Sequence, residues 1–162
     1  MPGGDHRTAY EIGYELLEKT RRAYFEDDFA LMESAFMLPH EHVTLQGWAV
    51  LETREDLLML FERMKAQFRE LEVDEIVRPL RSAEFVTPFE ILATAESHMF
   101  SKGRRVAEPF AVQSTLLRCG PDWRIATANY CVPLTTAGIS GALMPDAFPS
   151  EIASGRRPPS AN

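Results

Sequence analysis

Apolar positions along this chain change period twice, and the changes divide it into three parts. Residues 8–26, "TAYEIGYELLEKTRRAYFE", repeat at helical spacing. Gly13, Leu16, Leu17, Thr20, Ala23 and Tyr24 share one mixed face, bordered by Tyr10 and Tyr14. Asp27-Asp28 offers a cap for a second short helix, "FALMESAFML", on which Phe29, Met32, Ala35 and Phe36 align and which Pro39 ends. Two short strands, "HEHVTLQ" and "WAVLE", follow around Gly47. Thr53 and Asp56 then open the clearest helix, with Leu57, Leu60, Phe61, Met64, Phe68 and Leu71 tracing its stripe.

From residue 72 the period becomes that of strands. "EVDEIVRPLRSAEFV", "FEILATAESHMFS", "RVAEPFAVQSTLLRC" and "WRIATANYCV" are joined by "TP", "KG" and "GPD", which suit hairpins. Strands this long predict a strongly curved antiparallel sheet. After Val132 the Pro-, Gly-, Ala- and Ser-rich stretch 133–162 has no sustained period and reads as an irregular tail, with "ISGALM" able to dock on a neighbour. The expected division is a folded domain over 1–132 and a tail over 133–162.

Hairpin pairing proposes which residues face inward. A two-residue turn at Lys102-Gly103 sets Ser101 opposite Arg104, and a three-residue turn at 120–122 sets Cys119 opposite Trp123. One face then carries Ile91, Ala93, Ala95, Ser97, Met99, Glu108, Phe110, Val112, Ser114, Ala128 and Tyr130. This is the more apolar face and belongs under the helices, where its alanines leave room for a cavity. The other carries Leu92, Thr94, Glu96, His98, Gln113, Thr115, Ile125 and Thr127, a mixed surface.

Composition narrows the function classes. With 162 residues, 45% hydrophobic and 25% charged, the chain suits one ordinary globular domain. A net charge of -7 argues against nucleic acid, which needs a clustered positive surface. No apolar run approaches a membrane span and no signal peptide opens the sequence, so neither a membrane partner nor export is expected and the cytoplasm is the default location. Cys119 and Cys131 lie on neighbouring strands well out of register and are expected to be reduced.

The order helix, helix, short hairpin, long helix, then successive hairpins resembles the nuclear transport factor 2-like superfamily, including its SnoaL-like and ketosteroid-isomerase-like branches. "DDFALMESAF", "ETREDLLMLFERM" and "DWRIATANYCV" carry the likeness, which spans residues 8–132. The resemblance implies an α+β fold: a cystatin-like cone with three N-terminal helices on a strongly curved, mixed, mostly antiparallel sheet. It also implies an apolar pocket in the cone and a homodimer through the convex sheet face. Members include isomerases, dehydratases, cyclases, hydrolases and non-catalytic binding proteins, so the fold leaves the function open.

The chemistry-bearing residues are few. The ketosteroid-isomerase roles would fall on Thr44-Leu45-Gln46, on Phe110 or Val112, and near Thr20, none of the required type. His40 and His42 are spaced like metal ligands, but Glu96 and His98 fall on the opposite face, so no metal is expected. In a second reading the two histidines are solvated while Val43 and Leu45 pack inward, and in a third His42 stands at the pocket rim. Glu108, inside an apolar cone, would be a raised-pKa acid or base, or else a solvated edge residue beside Pro109. The candidate catalytic set is therefore Glu108, Tyr130 and His42. The candidate pocket lining is Tyr14, Tyr24, Phe110, Val112 and Ser114. The expected ligand is an apolar or aromatic small molecule, with no cofactor and with isomerisation or dehydration as the chemistry if there is any. The alternative is a non-catalytic interaction module whose cone is filled by side chains.

Overall fold

The computed structural model describes residues 5–133 and 137–155. Helix α1 (Ala9–Phe25) starts at a capping box in which Thr8 and Glu11 satisfy each other's backbone N–H. Asp28 caps α2 (Phe29–Ala35), and Thr53 with Asp56 caps α3 (Arg54–Glu70), so the shorter Asp serves where Glu or Gln is usual. The strands are β1 (Phe36–Thr44), β2 (Gly47–Leu51), β3 (Glu75–Val77), β4 (Leu80–Thr87), β5 (Glu90–Ser101), β6 (Arg104–Arg105), β7 (Phe110–Cys119) and β8 (Asp122–Tyr130). They form one sheet in the order β2-β1-β8-β7-β5-β3, with β4 and β6 also on β5. β1 runs parallel to β8 and the other pairs are antiparallel. The helices cover the inner face of this open, curved sheet, and Ile12, Met32, Leu57, Phe61 and Ile91 are buried between the layers. The fold is α+β, a mixed and mostly antiparallel cone.

Three local departures from the sequence reading matter for the site. First, Phe36–Leu38 are strand, not helix: a residue before proline is driven toward extended backbone, and β1 passes through Pro39 to pair with β8. That pairing sets His42 beside Ala128 on the inner face, so the expected faces of β1 are reversed. His40 and His42 are fully buried, while Leu45 is 60% exposed.

Second, Ser97 pairs with Phe110 rather than Glu108, although Ser101 still pairs with Arg104. Pro109 has no N–H for the ladder, so 106–109 leave the sheet as a loop. The offset is two residues, an even number, and Phe110, Val112 and Ser114 keep their inward face. Glu108, inside the loop, is exposed.

Third, the last turn is two residues, with Cys119 opposite Asp122, and a bulge between Thr115 and Leu116 restores the expected register beyond it. The bulge leaves both Ile125 and Ala126 buried, so Ile125 belongs to the inside of the cone.

The C-terminal stretch is not irregular throughout. Residues 137–155 contain α4 (Ala137–Leu143) and α5 (Pro149–Ser154), which pack on α3 of their own domain. Ile139, Leu143 and Phe148 are buried there. Asp56 is the anchor, accepting hydrogen bonds from the Ser150 backbone N–H at 2.8 Å and from the Ser150 hydroxyl. The remainder of the expected tail, 134–136 and 156–162, lies outside the described residues.

Candidate functional site

Between α1–α3 and the inner face of the sheet lies a cavity of about 90 Å³. Its walls are largely apolar: Leu17 on α1, Met32 on α2, Met64 and Phe68 on α3, Met99 on β5, Phe110 on β7, Ile125 on β8 and Leu143 from α4. Five hydroxyl groups interrupt them, on Thr20, Tyr24, Ser97, Ser114 and Tyr130, together with one charged side chain, Arg78. Among the described residues, no carboxylate and no histidine is in the lining.

Arg78 arrives by strand geometry. Ile76, Arg78 and Leu80 alternate across the break between β3 and β4, and Ile76 and Leu80 are buried, so the arginine between them also points under the helices. Its Nη2 donates to the Leu17 carbonyl and, at 2.9 Å, to the Thr20 hydroxyl, tying the strand break to α1. Nε is buried and has no partner. Burial pulls the guanidinium below its ordinary pKa, and the nearby Tyr24 and Tyr130 oppose that shift. An arginine nevertheless stays protonated at neutral pH.

Burial also raises both tyrosines, Tyr130 to about 12, so each keeps its proton as a hydrogen-bond donor. The Tyr24 ring stacks on Phe61 at 5.3 Å and meets Phe68 edge-on at 5.1 Å, which fixes it.

Of the residues singled out in the sequence, Tyr24, Phe110, Val112, Ser114 and Tyr130 meet in this cavity. Tyr14 does not: it is half-exposed on the outer side of α1 and lines a shallow groove of about 310 Å³ with Glu18, Arg21 and Pro79. That groove and the cavity share Leu17, Ile76 and Arg78. Glu108 lies outside the cavity, because the loop around Pro109 carries it to solvent.

His42 is neither solvated nor at a rim. Its ring packs 5.0 Å from that of Tyr130 and 6.1 Å from that of Phe148, and its Nε2–H donates to the Leu143 carbonyl. His40 is equally buried, with a long Nδ1–H bond of 3.4 Å to the Ile125 carbonyl. Burial first, and His42 second, depress His40 to about 3, while burial depresses His42 to about 4. Both are therefore neutral at physiological pH. No cluster of three or more potential metal ligands occurs among the described residues.

Arg78 was the residue overlooked in the sequence. The signal was the alternation Ile76, Arg78, Leu80, which sets a cation on an inward face.

No protein-family model matches the chain, and no curated protein matches it in sequence. Solved structures do. A protein from Nostoc punctiforme described as a domain of unknown function with a cystatin-like fold superposes with a TM-score of 0.59 at 14% identity, over 81% of this chain and 82% of that one. The fold is the nuclear transport factor 2-like cone. A protein of that family from Streptomyces avermitilis, described as a candidate dehydratase, matches with a TM-score of 0.56 at 18% identity, over 76% of this chain and 95% of its own. The hexachlorocyclohexane dehydrochlorinase LinA-type3 from Novosphingobium barchaimii matches with 0.52 at 13% identity, over 75% and 84%. At such identities the likeness is one of architecture, and no helix of the described residues is long and apolar enough to cross a membrane.

Proposed function

We propose that this nuclear transport factor 2-like chain binds a small, largely apolar molecule inside its cone, as a receptor rather than an acid–base catalyst. The observation that carries this is the lining: a largely apolar cavity with convergent hydroxyls and one arginine, and no carboxylate or histidine among its described residues to accept a proton. A cavity of about 90 Å³ is smaller than the roughly 150 Å³ that takes up benzene in an engineered core. Met32, Met64 and Met99 are flexible walls able to yield to a somewhat larger body.

Isomerisation or dehydration is the narrower form of this reading. Arg78 and the two tyrosines suit polarisation of a bound carbonyl, and the neighbours described as a candidate dehydratase and a dehydrochlorinase use the same cone. His42 lies behind Tyr130 and Glu108 outside, which favours binding without proton abstraction.

The test is methyl NMR on protein labelled at methionine, titrated with toluene as a neutral apolar probe. Shifts at Met32, Met64 and Met99, but not at methionines elsewhere, are expected; unmoved cavity methyls at saturating toluene would end the proposal.

The same proposal places the chain in the cytoplasm as a homodimer through the convex sheet face. Leu92 supports that contact, being 41% exposed on the face of β5 opposite the buried Ile91 and Ala93. Light scattering of the wild type and of Leu92→Glu reads it: a dimer that becomes a monomer is expected, and a wild-type monomer refutes it.

A further inference from the structure

Arg78 is the one charged group among the described residues of the cavity wall; no carboxylate among them forms an ion pair with it, and Glu18, which acts on it from the outer groove, is itself paired with Arg21. A cation held against an apolar cavity is costly unless something neutralises it. Its structural duty, tying the strand break to α1, uses only Nη2 and leaves the buried Nε–H without an acceptor. Beside it the hydroxyls of Tyr24 and Tyr130 form no hydrogen bond to a described residue, and both keep their protons. The wall thus presents one positive charge, the Arg78 Nε–H and two tyrosine hydroxyls, and these three donors have no acceptor among the described residues.

We infer that the ligand is a compact monocarboxylic acid whose carboxylate sits on Arg78, between the Tyr24 and Tyr130 hydroxyls, with its apolar body directed toward Met32 and Met99. This rests on the receptor reading above and adds the charge and orientation of the ligand. One fixed cation matches one negative charge; a phosphate, carrying more charge, would call for further cationic donors that the lining lacks. The orientation follows from position. Arg78, Leu17 and Ile76 line both the cavity and the outer groove, which sets the carboxylate on the groove side and the hydrocarbon toward the interior.

The experiment compares butanoate and benzoate with their uncharged counterparts, butanamide and benzamide, by calorimetry and by the same methionine methyl shifts at neutral pH. The acids are expected to bind about tenfold or more tightly than the amides, because the acceptor then carries charge. Arg78→Met should remove that preference while toluene still shifts the cavity methyls, and Arg78→Lys should restore part of it. Acids and amides binding alike, or acids binding without moving the Met32 and Met99 methyls, would overturn the carboxylate assignment. If toluene binds the wild type and neither acid does, the assignment fails and the receptor reading survives. If toluene fails as well, the receptor reading falls. The wild-type acid–amide comparison decides the assignment even if the Arg78 variants do not fold.

Discussion

Acidification should destabilise this fold through two buried histidines. In the folded state His40 and His42 have pKa values near 3 and 4, against an ordinary 6.5. Protons therefore bind the unfolded chain first. The stability that the neutral imidazoles contribute is complete above about pH 6.5 and is lost progressively as pH falls toward the folded values. At pH 5 each histidine lies about 1.5 units below its unfolded pKa and still above its folded one. The loss is about 2 kcal/mol per residue, or about 4 kcal/mol for the pair.

The carboxyl group with a comparable burial, Asp56, does not share this window. Burial works to raise it, but hydrogen bonds from Ser150, Glu52 and Thr53 outweigh that and hold it below 3.8, so its contribution is lost only in stronger acid. Against a typical total of about 5–15 kcal/mol, the histidine term is large. Urea denaturation between about pH 7.5 and 5 measures it directly, with the unchanged slope confirming a common unfolded state. His42→Gln provides the internal check, since a glutamine amide can still donate to the Leu143 carbonyl but does not titrate. It should flatten the pH dependence by about half, or ~2 kcal/mol. A wild-type stability at pH 5 within about 1 kcal/mol of the neutral value would refute the reasoning, as would a His42→Gln protein with the full slope.

The remaining predictions concern the anchor, the cavity wall, the excluded carboxylate and the thiols. Asp56→Ala leaves the Ser150, Glu52 and Thr53 N–H groups without their acceptor and should cost about 2–4 kcal/mol, with protease cleavage appearing first within 137–155. Leu143→Ala removes a buried side chain from the cavity wall; it should cost about 2–5 kcal/mol in urea melts and tighten toluene binding. Glu108→Gln should change stability by less than about 0.5 kcal/mol and leave probe binding untouched, because its side chain is exposed outside the cavity. Of the two free thiols, exposed Cys131 should react with a thiol reagent faster than half-buried Cys119; equal rates would contradict the placement.

Much of the cone was legible in local pattern. Helix α3 follows from the run Leu57, Leu60, Phe61, Met64 and Phe68, each buried in the structure, because a 3.6-residue period needs no knowledge of distant chain. The inner faces of β5 and β7 follow from alternation and survive the loop at 106–109, since a shift of two residues conserves the face. Tyr24, Phe110, Val112, Ser114 and Tyr130 could be placed together for that reason.

What the sequence did not decide depends on partners far along the chain. The orientation of His40 and His42 is set by a parallel pairing with β8, some 85 residues away, and local alternation in "HEHVTLQ" is equally consistent with either face. Glu108 left the cone because Pro109 cannot donate to the ladder, and only the register on both sides shows how much chain the excursion consumes. The segment "ISGALM" became a wall of its own domain because Arg63 on α3 donates to the Gly141 and Ala142 carbonyls, while Asp56 at the start of α3 holds Ser150 beyond it. Arg78 became the centre of the site for a similar reason. Alternation turned it inward, but only the tertiary packing of α1, β5 and β8 around it set the cation in a cavity whose described lining holds no carboxylate.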